Sequence, residues 1–253
     1  MRFHIEKASM WKRISAYLFD FILVSVLAVG LGAALSAVTG YNDYNDTFFQ
    51  ISQQYEEEYG VKFEVSAEEW NQMSQEELDR YNTAYEAFIQ DEEAMHAFNM
   101  IISLTMIFAS FGVLLAYLVW EFAIPLWLKN GQTLGKKIFG IGLVRSDGVR
   151  VTPFMMFVRT ILGKYTIETM IPLLLGVMLF FGTIGLVGPT IILVLLVVQL
   201  CMVFANKNRT AIHDFLSHTV VVDLSCQLVF DSEEELLDFK KRQHAEEAEH
   251  KEY

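Results

Sequence analysis

The sequence predicts an all-α polytopic membrane protein with four transmembrane helices, a helical extracytoplasmic insertion and a small cytoplasmic β element. Three observations predict it. Apolar runs at 14–38, 99–128 and 166–205 are each long enough to cross a hydrocarbon layer, which takes about 20 apolar residues. Acidic charge is concentrated in one stretch: 40–97 holds fifteen Asp/Glu and two Lys/Arg, a balance of −13 in a chain of net charge −12. Basic residues gather in the three other inter-run regions, so the positive-inside rule puts those regions in the cytoplasm and the acidic stretch outside.

The first two runs give spans at 14–38 and 100–127. The third run would be about 60 Å long as one helix, roughly twice the layer it has to cross. It therefore folds back at GTIGLVGP (182–189), where Gly and Pro punctuate the chain, giving spans at 166–184 and 188–205. Three spans plus a broken segment is the rival arrangement. The basic regions are Arg2, Lys7, Lys12 and Arg13; seven residues between Lys129 and Lys164; and Lys207 with Arg209. Both termini inside requires an even number of spans, which favours four. The first run resembles a secretory signal only in LSAV (35–38); it exceeds the 7–15 apolar residues of a signal and contains Asp20. Four segments follow: 1–39, the N-terminus and first span; 40–97, the insertion; 98–224, the remaining spans with the β element; and 225–253, a polar tail. Cys201 in a span and Cys226 in the tail are not placed to form a disulfide.

The insertion reads as helical. Phe48, Ile51, Tyr55 and Tyr59 recur at helical spacing, as do Leu78, Tyr81, Tyr85 and Phe88. Ser66 to Glu69 and Ser74 to Glu77 match the capping box. These features predict a helical hairpin whose second helix runs into the second span. Its acidic face is either a solvated surface, a partner-binding surface or a funnel that concentrates cations. Asp91-Glu92-Glu93 lacks the spaced oxygens and turn glycine of a calcium loop.

In the cytoplasmic middle, IGLVR and VRVT flank Asp147-Gly148, the pattern of a β-hairpin, and HTVVVDL (218–224) offers a third strand. PFMMFVRTILGK (153–164) mixes apolar residues with Arg159 and Lys164 and suits a helix lying along the inner interface. GQTLGKK fails as a phosphate loop: three residues, not four, separate its glycines, and Lys follows Lys136. The tail from Asp231 reads as an exposed polar helix.

Asp20 lies inside the first apolar run, seven residues after Arg13 and on the same helix face. About 10.5 Å of rise separates them, so each is expected to meet a partner on another helix, with Ala16 leaving room for a close approach. Candidate partners are Glu121, Lys164, Glu168, Arg209, His213 and Asp214. Asp20 either fixes the bundle through hydrogen bonds or binds a cation or proton, the usual hypothesis for an intramembrane carboxylate.

Arg13, Ala16 and Asp20 in KRISAYLFD, the segment GQTLGKKIFGIGLVRSDG running on to FVRT, and RTAIHDFLSHTVVV together resemble the RDD family of membrane proteins. Its arginine and two aspartates fall on Arg13, Asp20 and Asp214. The resemblance covers 10–38 and 100–224 and implies a multi-pass bacterial inner-membrane protein. It also implies transport, since some members are associated with sodium/proton exchange. Four spans are few for one pathway, so transport implies a homo-oligomer, for which Ala28/Gly32 and Ala33/Ala37 offer small-residue contacts. The insertion lies outside the resemblance. The second reading is accordingly a membrane interaction module whose acidic loop docks a protein partner outside the membrane: secretion machinery, an envelope enzyme or a toxin. His213-Asp214 has no third ligand at metal spacing and no nucleophile nearby, so no enzyme, metal, cofactor or nucleic-acid partner is expected.

Overall fold

The computed structural model describes residues 4–205 and 209–249. Arg2, Lys207 and the end of the tail lie outside the described residues. In chain order the elements are α1 (Met10–Val38), α2 (Tyr41–Tyr59), α3 (Ala67–Gln72), α4 (Gln75–Gln90) and α5 (Glu92–Tyr117). A π-helical segment, Leu118–Ala123, leads into α6 (Ile124–Trp127), followed by α7 (Leu134–Ile138), β1 (Ile141–Arg145) and α8 (Pro153–Phe157). A second π-helical segment, Val158–Met170, leads into α9 (Ile171–Phe180). Then come α10 (Val187–Ala205), α11 (Ile212–Leu216), β2 (Thr219–Asp223) and α12 (Glu233–Glu249).

Among the described residues, four helical stretches are long and apolar enough to cross a membrane: Met10–Val38, Glu92–Trp127, Pro153–Phe180 and Val187–Ala205. Their surfaces are inverted relative to a water-soluble protein. Phe21, Ile22 and Val26 on α1 and Leu193, Val194 and Leu196 on α10 are exposed, while Asp20, Glu121, Arg159, Lys164 and Asp214 are buried. Such wide apolar surface is stable only against lipid or a partner.

The third stretch corrects one expectation. Residues 153–164 do not form a separate interfacial helix. They are the first turns of a continuous helix ending at Phe180, and Arg159 and Lys164 are buried instead of reaching outward. The reason is that both cations have carboxylate partners within the fold.

The chain divides into two compact units, 1–28 with 113–253, and 29–112. In the first, β1 pairs antiparallel with β2, with Leu143 opposite Val221. Ile141, Leu143 and Val221 pack against Ala16 and Met156, whereas Val144, Val220 and Val222 pack with Ile5 and Val229. Both faces are thus covered, which is why these strands read as unbroken apolar runs. The expected hairpin contributes its turn only. Gly148 N donates to Arg145 O at 2.8 Å, with φ 92° at Gly148. VRVT joins β1 by a single bridge at Val144–Arg150 and does not form a strand. HTVVVDL supplies the strand on one edge of β1, where Val144 faces Val220, while Arg150 bridges Val144 from the opposite edge.

In the second unit, Ile51, Phe88 and Ala94 form a core with Phe48, Tyr55 and Phe63. The ring of Phe88 lies 5.1 Å from that of Phe63, 5.4 Å from Phe48 and 5.7 Å from Tyr55. Both capping boxes form: Ser66 N donates to Glu69 at 2.9 Å and Ser74 N to Glu77 at 2.8 Å. The second helix of the insertion does not run unbroken into the span. Asp91 interrupts it, accepting from Ala94 N at 2.8 Å to start α5 and from Tyr55 OH at 3.2 Å. Phe88→Ala should destabilise this unit by about 3–5 kcal/mol. Hydrogen exchange on the full-length protein should show α2 and α4 losing protection while α9 and α10 keep theirs.

Candidate functional site

The buried charges of the first unit surround a cavity of about 410 Å³. Two glycines let the backbone close around them. A Cβ on Gly135 would lie 2.6 Å from Ala16 O and 2.8 Å from the Asp20 carboxyl, so only glycine lets α7 start against α1. A Cβ on Gly163 would lie 2.5 Å from His213 Cβ, so glycine also sets the approach of α11 to the π-helical segment.

Two prolines loosen the helices at matched places. Pro125 and Pro172 each stand four residues after a glutamate, Glu121 and Glu168. Proline has no N–H to give the carbonyl four residues back. The carbonyl of Glu121 is taken instead by Thr160 Oγ1 at 3.0 Å. Within the second π-helical segment, Thr166 and Thr169 hydroxyls donate to the carbonyls five residues back, at 2.8 and 2.9 Å. Such segments recur at functional sites.

Asp20 is met by neutral donors. Its carboxylate accepts from Trp120 Nε1 at 3.1 Å, from Gly135 N at 2.9 Å and from the Thr133 hydroxyl. Thr133 in turn accepts from Lys136 N at 3.3 Å, starting α7. Asp20 therefore ties the 133–136 turn to α1.

Asp214 is met by cations. Arg159 donates to it through Nε at 3.0 Å and NH2 at 2.9 Å. Arg13 NH2 reaches its other oxygen at 3.4 Å. Burial alone would raise the Asp214 pKa, but His213 and the Arg159 and Arg13 guanidiniums outweigh it and hold the carboxyl well below the ordinary range. Arg13 also donates from NH1 to Arg209 O at 2.5 Å. Arg209 thus contributes its carbonyl, from a left-handed backbone with φ 49°. Arg13, Asp20 and Asp214 do not converge: Arg13 and Asp214 share one contact, and Asp20 has its own.

Glu121 faces three cations. One oxygen is bound by Lys164 Nζ. The other lies 3.7 Å from Lys136 Nζ and 3.8 Å from Arg159 NH1. Burial pulls the Lys136 ammonium down to about 8 against the raising effect of Glu121. Glu168 accepts from His213 Nδ1 at 2.8 Å, from His213 N at 3.2 Å and from Gln199 Nε2 at 3.2 Å. Lys136, Trp120 and Thr133 were not among the residues that sequence reasoning selected. The spacing of each proline from its glutamate is the signal that could have marked both glutamate sites. Among the described residues, no three His, Cys, Asp or Glu side chains gather as a metal site.

Residues 7–218 match the RDD family. The chain belongs to the RDD family. As an RDD protein it is a polytopic membrane protein, and its four long apolar helices are transmembrane helices. No curated protein and no solved structure matches it. The family match takes in every charged residue of the RDD protein's cavity.

Burial lowers the His213 pKa; the Asp214 and Glu168 charges oppose this without reversing it. As the pH falls below the ordinary histidine value of about 6.5, the unfolded chain takes up this proton before the folded one. The stability His213 contributes is therefore complete above about pH 6.5 and is lost as the pH falls toward its lowered folded value. The melting temperature of the purified protein should hold above about pH 6.5 and drop as the pH falls below it. In His213→Asn, whose amide N–H can replace Nδ1–H toward Glu168, the drop should be shallower.

Proposed function

We propose that this RDD protein moves protons, or a cation in exchange for protons, through the polar cavity of its helix bundle. The observation that carries the reading is the set of ionisable side chains lining one cavity among lipid-compatible helices. Charge inside a membrane is costly and marks ion and proton paths. The intramembrane carboxylate Asp20 shapes the site, since its hydrogen bonds hold the 133–136 turn. The exchangeable proton belongs to the Glu168–His213 pair, where an imidazole and a carboxylate share one contact. Arg13 and Asp214 fix α11, and so fix His213. The reading is of a carrier and not an enzyme. The charge distribution supports both termini being cytoplasmic and 40–97 outside; the family resemblance points to a bacterial inner membrane, and four spans are few for one pathway, which points to a homo-oligomer. In proteoliposomes, an imposed proton gradient should drive sodium movement. Glu168→Gln should reduce that movement at least about tenfold, the scale of losing a charged hydrogen-bonding partner. Absence of sodium or proton movement in the wild type, or full activity in Glu168→Gln, would overturn the reading.

A second reading draws on a groove of about 560 Å³ in the 29–112 unit, bordered by Glu56, Lys62, Glu64 and Tyr81. The insertion would dock a protein partner outside the membrane there, beside exposed Trp70, whose ring lies 5.1 Å from that of Tyr81. Deletion of 43–93 should then leave membrane insertion intact and remove the partner from crosslinked native membranes. Persistence of the crosslinked product would exclude this docking site.

A further inference from the structure

Among the described residues, three buried polar atoms beside the cavity have no hydrogen-bond partner: Glu121 Oε2, Lys136 Nζ and Arg159 NH1. They stand together, with both nitrogens 3.7–3.8 Å from the oxygen. That is close enough for attraction between charges and too far for a hydrogen bond. Lys136 is 7 % exposed and Arg159 1 %, and both line the cavity.

Among the described residues, the other charged groups facing this point are already engaged. Lys164 holds the second oxygen of Glu121. Asp214 holds Nε and NH2 of Arg159 and also meets Arg13. Asp20 is occupied by Trp120, Thr133 and Gly135. Glu168 is occupied by His213 and Gln199. Two cationic donors and one carboxylate acceptor therefore remain, open to a single group that accepts twice and donates once. A carboxylate or sulfate only accepts, and an ammonium only donates. A phosphate monoester is a charged group that does both: it has three acceptor oxygens, it carries the negative charge that two cations attract, and, with a second pKa of about 6, it has an O–H in its singly charged form. Arg159 and Lys136 supply the guanidinium and ammonium donors suited to such a group.

The remaining wall of the cavity is apolar. Met10 and Ile14 come from α1, and Leu200, Val203 and Phe204 from α10. The volume is within the range of about 300–1,000 Å³ of ligand pockets. We infer that this cavity binds an amphiphile by a phosphate monoester headgroup, which rests on Lys136, Arg159 and Glu121 while its chain lies between α1 and α10. The inference does not depend on proton or sodium movement, since it concerns binding at equilibrium without a gradient.

The same headgroup chemistry occurs on phosphatidic acid and on soluble glycerol phosphate, and the apolar wall favours the lipid. The full-length protein in nanodiscs of phosphatidylcholine, doped with phosphatidic acid, should retain phosphatidic acid in native mass spectrometry. Glycerol phosphate should bind at least about tenfold more weakly, having no chain to bury. Lys136→Met should weaken phosphatidic acid retention at least about tenfold, and Lys136→Arg should restore it. Leu200→Trp, at a half-exposed position, fills the apolar end of the cavity and should displace the lipid in a protein that still folds. Retention of phosphatidylcholine equal to that of phosphatidic acid would overturn the inference. So would equal affinity for glycerol phosphate, or unchanged retention in Leu200→Trp.

Discussion

A charge withdrawn from water has to be met by opposite charge or by hydrogen-bond donors, because leaving it bare costs several kcal/mol per ion. In this chain the requirement is concentrated in a few residues on helices whose outer faces are apolar. Asp20, Glu121 and Asp214 are each at most 3 % exposed. The glycines at 135 and 163, the prolines after the two glutamates and the π-helical segments all serve to bring partners to them. The carboxylates are met in two different ways. Asp20 receives two side-chain donors and a main-chain amide, and so locks backbone geometry. Asp214 receives two guanidiniums, and so locks the first helix to the third and to the short helix before β2. Buried ion pairs of this type add less net stability than their number suggests, but removing one partner is costly. They act as determinants of arrangement.

The sheet depends on the same arrangement. β1 follows directly on α7, which Asp20 anchors, and β2 follows directly on α11, which Arg13 and Arg159 anchor through Asp214. A two-stranded pair is marginal by itself. Here it is held by helices at the start of each strand and by apolar packing on both faces.

Much of the fold was legible in the sequence because length and hydropathy alone decide which helices can span a membrane. The four spans, the helical insertion, its capping boxes and the strand-like runs all follow from local pattern. Pairing was not legible. Arg159 and Lys164 read as interfacial because periodicity cannot distinguish a cation facing headgroups from one facing Glu121 or Asp214. Nothing local marks Lys136, because the helix start in GQTLGKK is arranged around the distant Asp20. VRVT read as a strand because Asp-Gly predicts a turn, and a turn does not specify which segment will pair beyond it. Asp91 broke the expected continuous helix because its carboxylate starts the next one.

The contact between Arg13 and Asp214 spans 201 positions of sequence. A ribosome adding 5–20 residues per second takes about 10–40 s to cover that distance. All four transmembrane segments have been made before the aspartate emerges. The arginine of the first helix waits through that interval, and Arg159 waits through its last quarter. The polar centre of the bundle therefore closes only after all four transmembrane helices have been made.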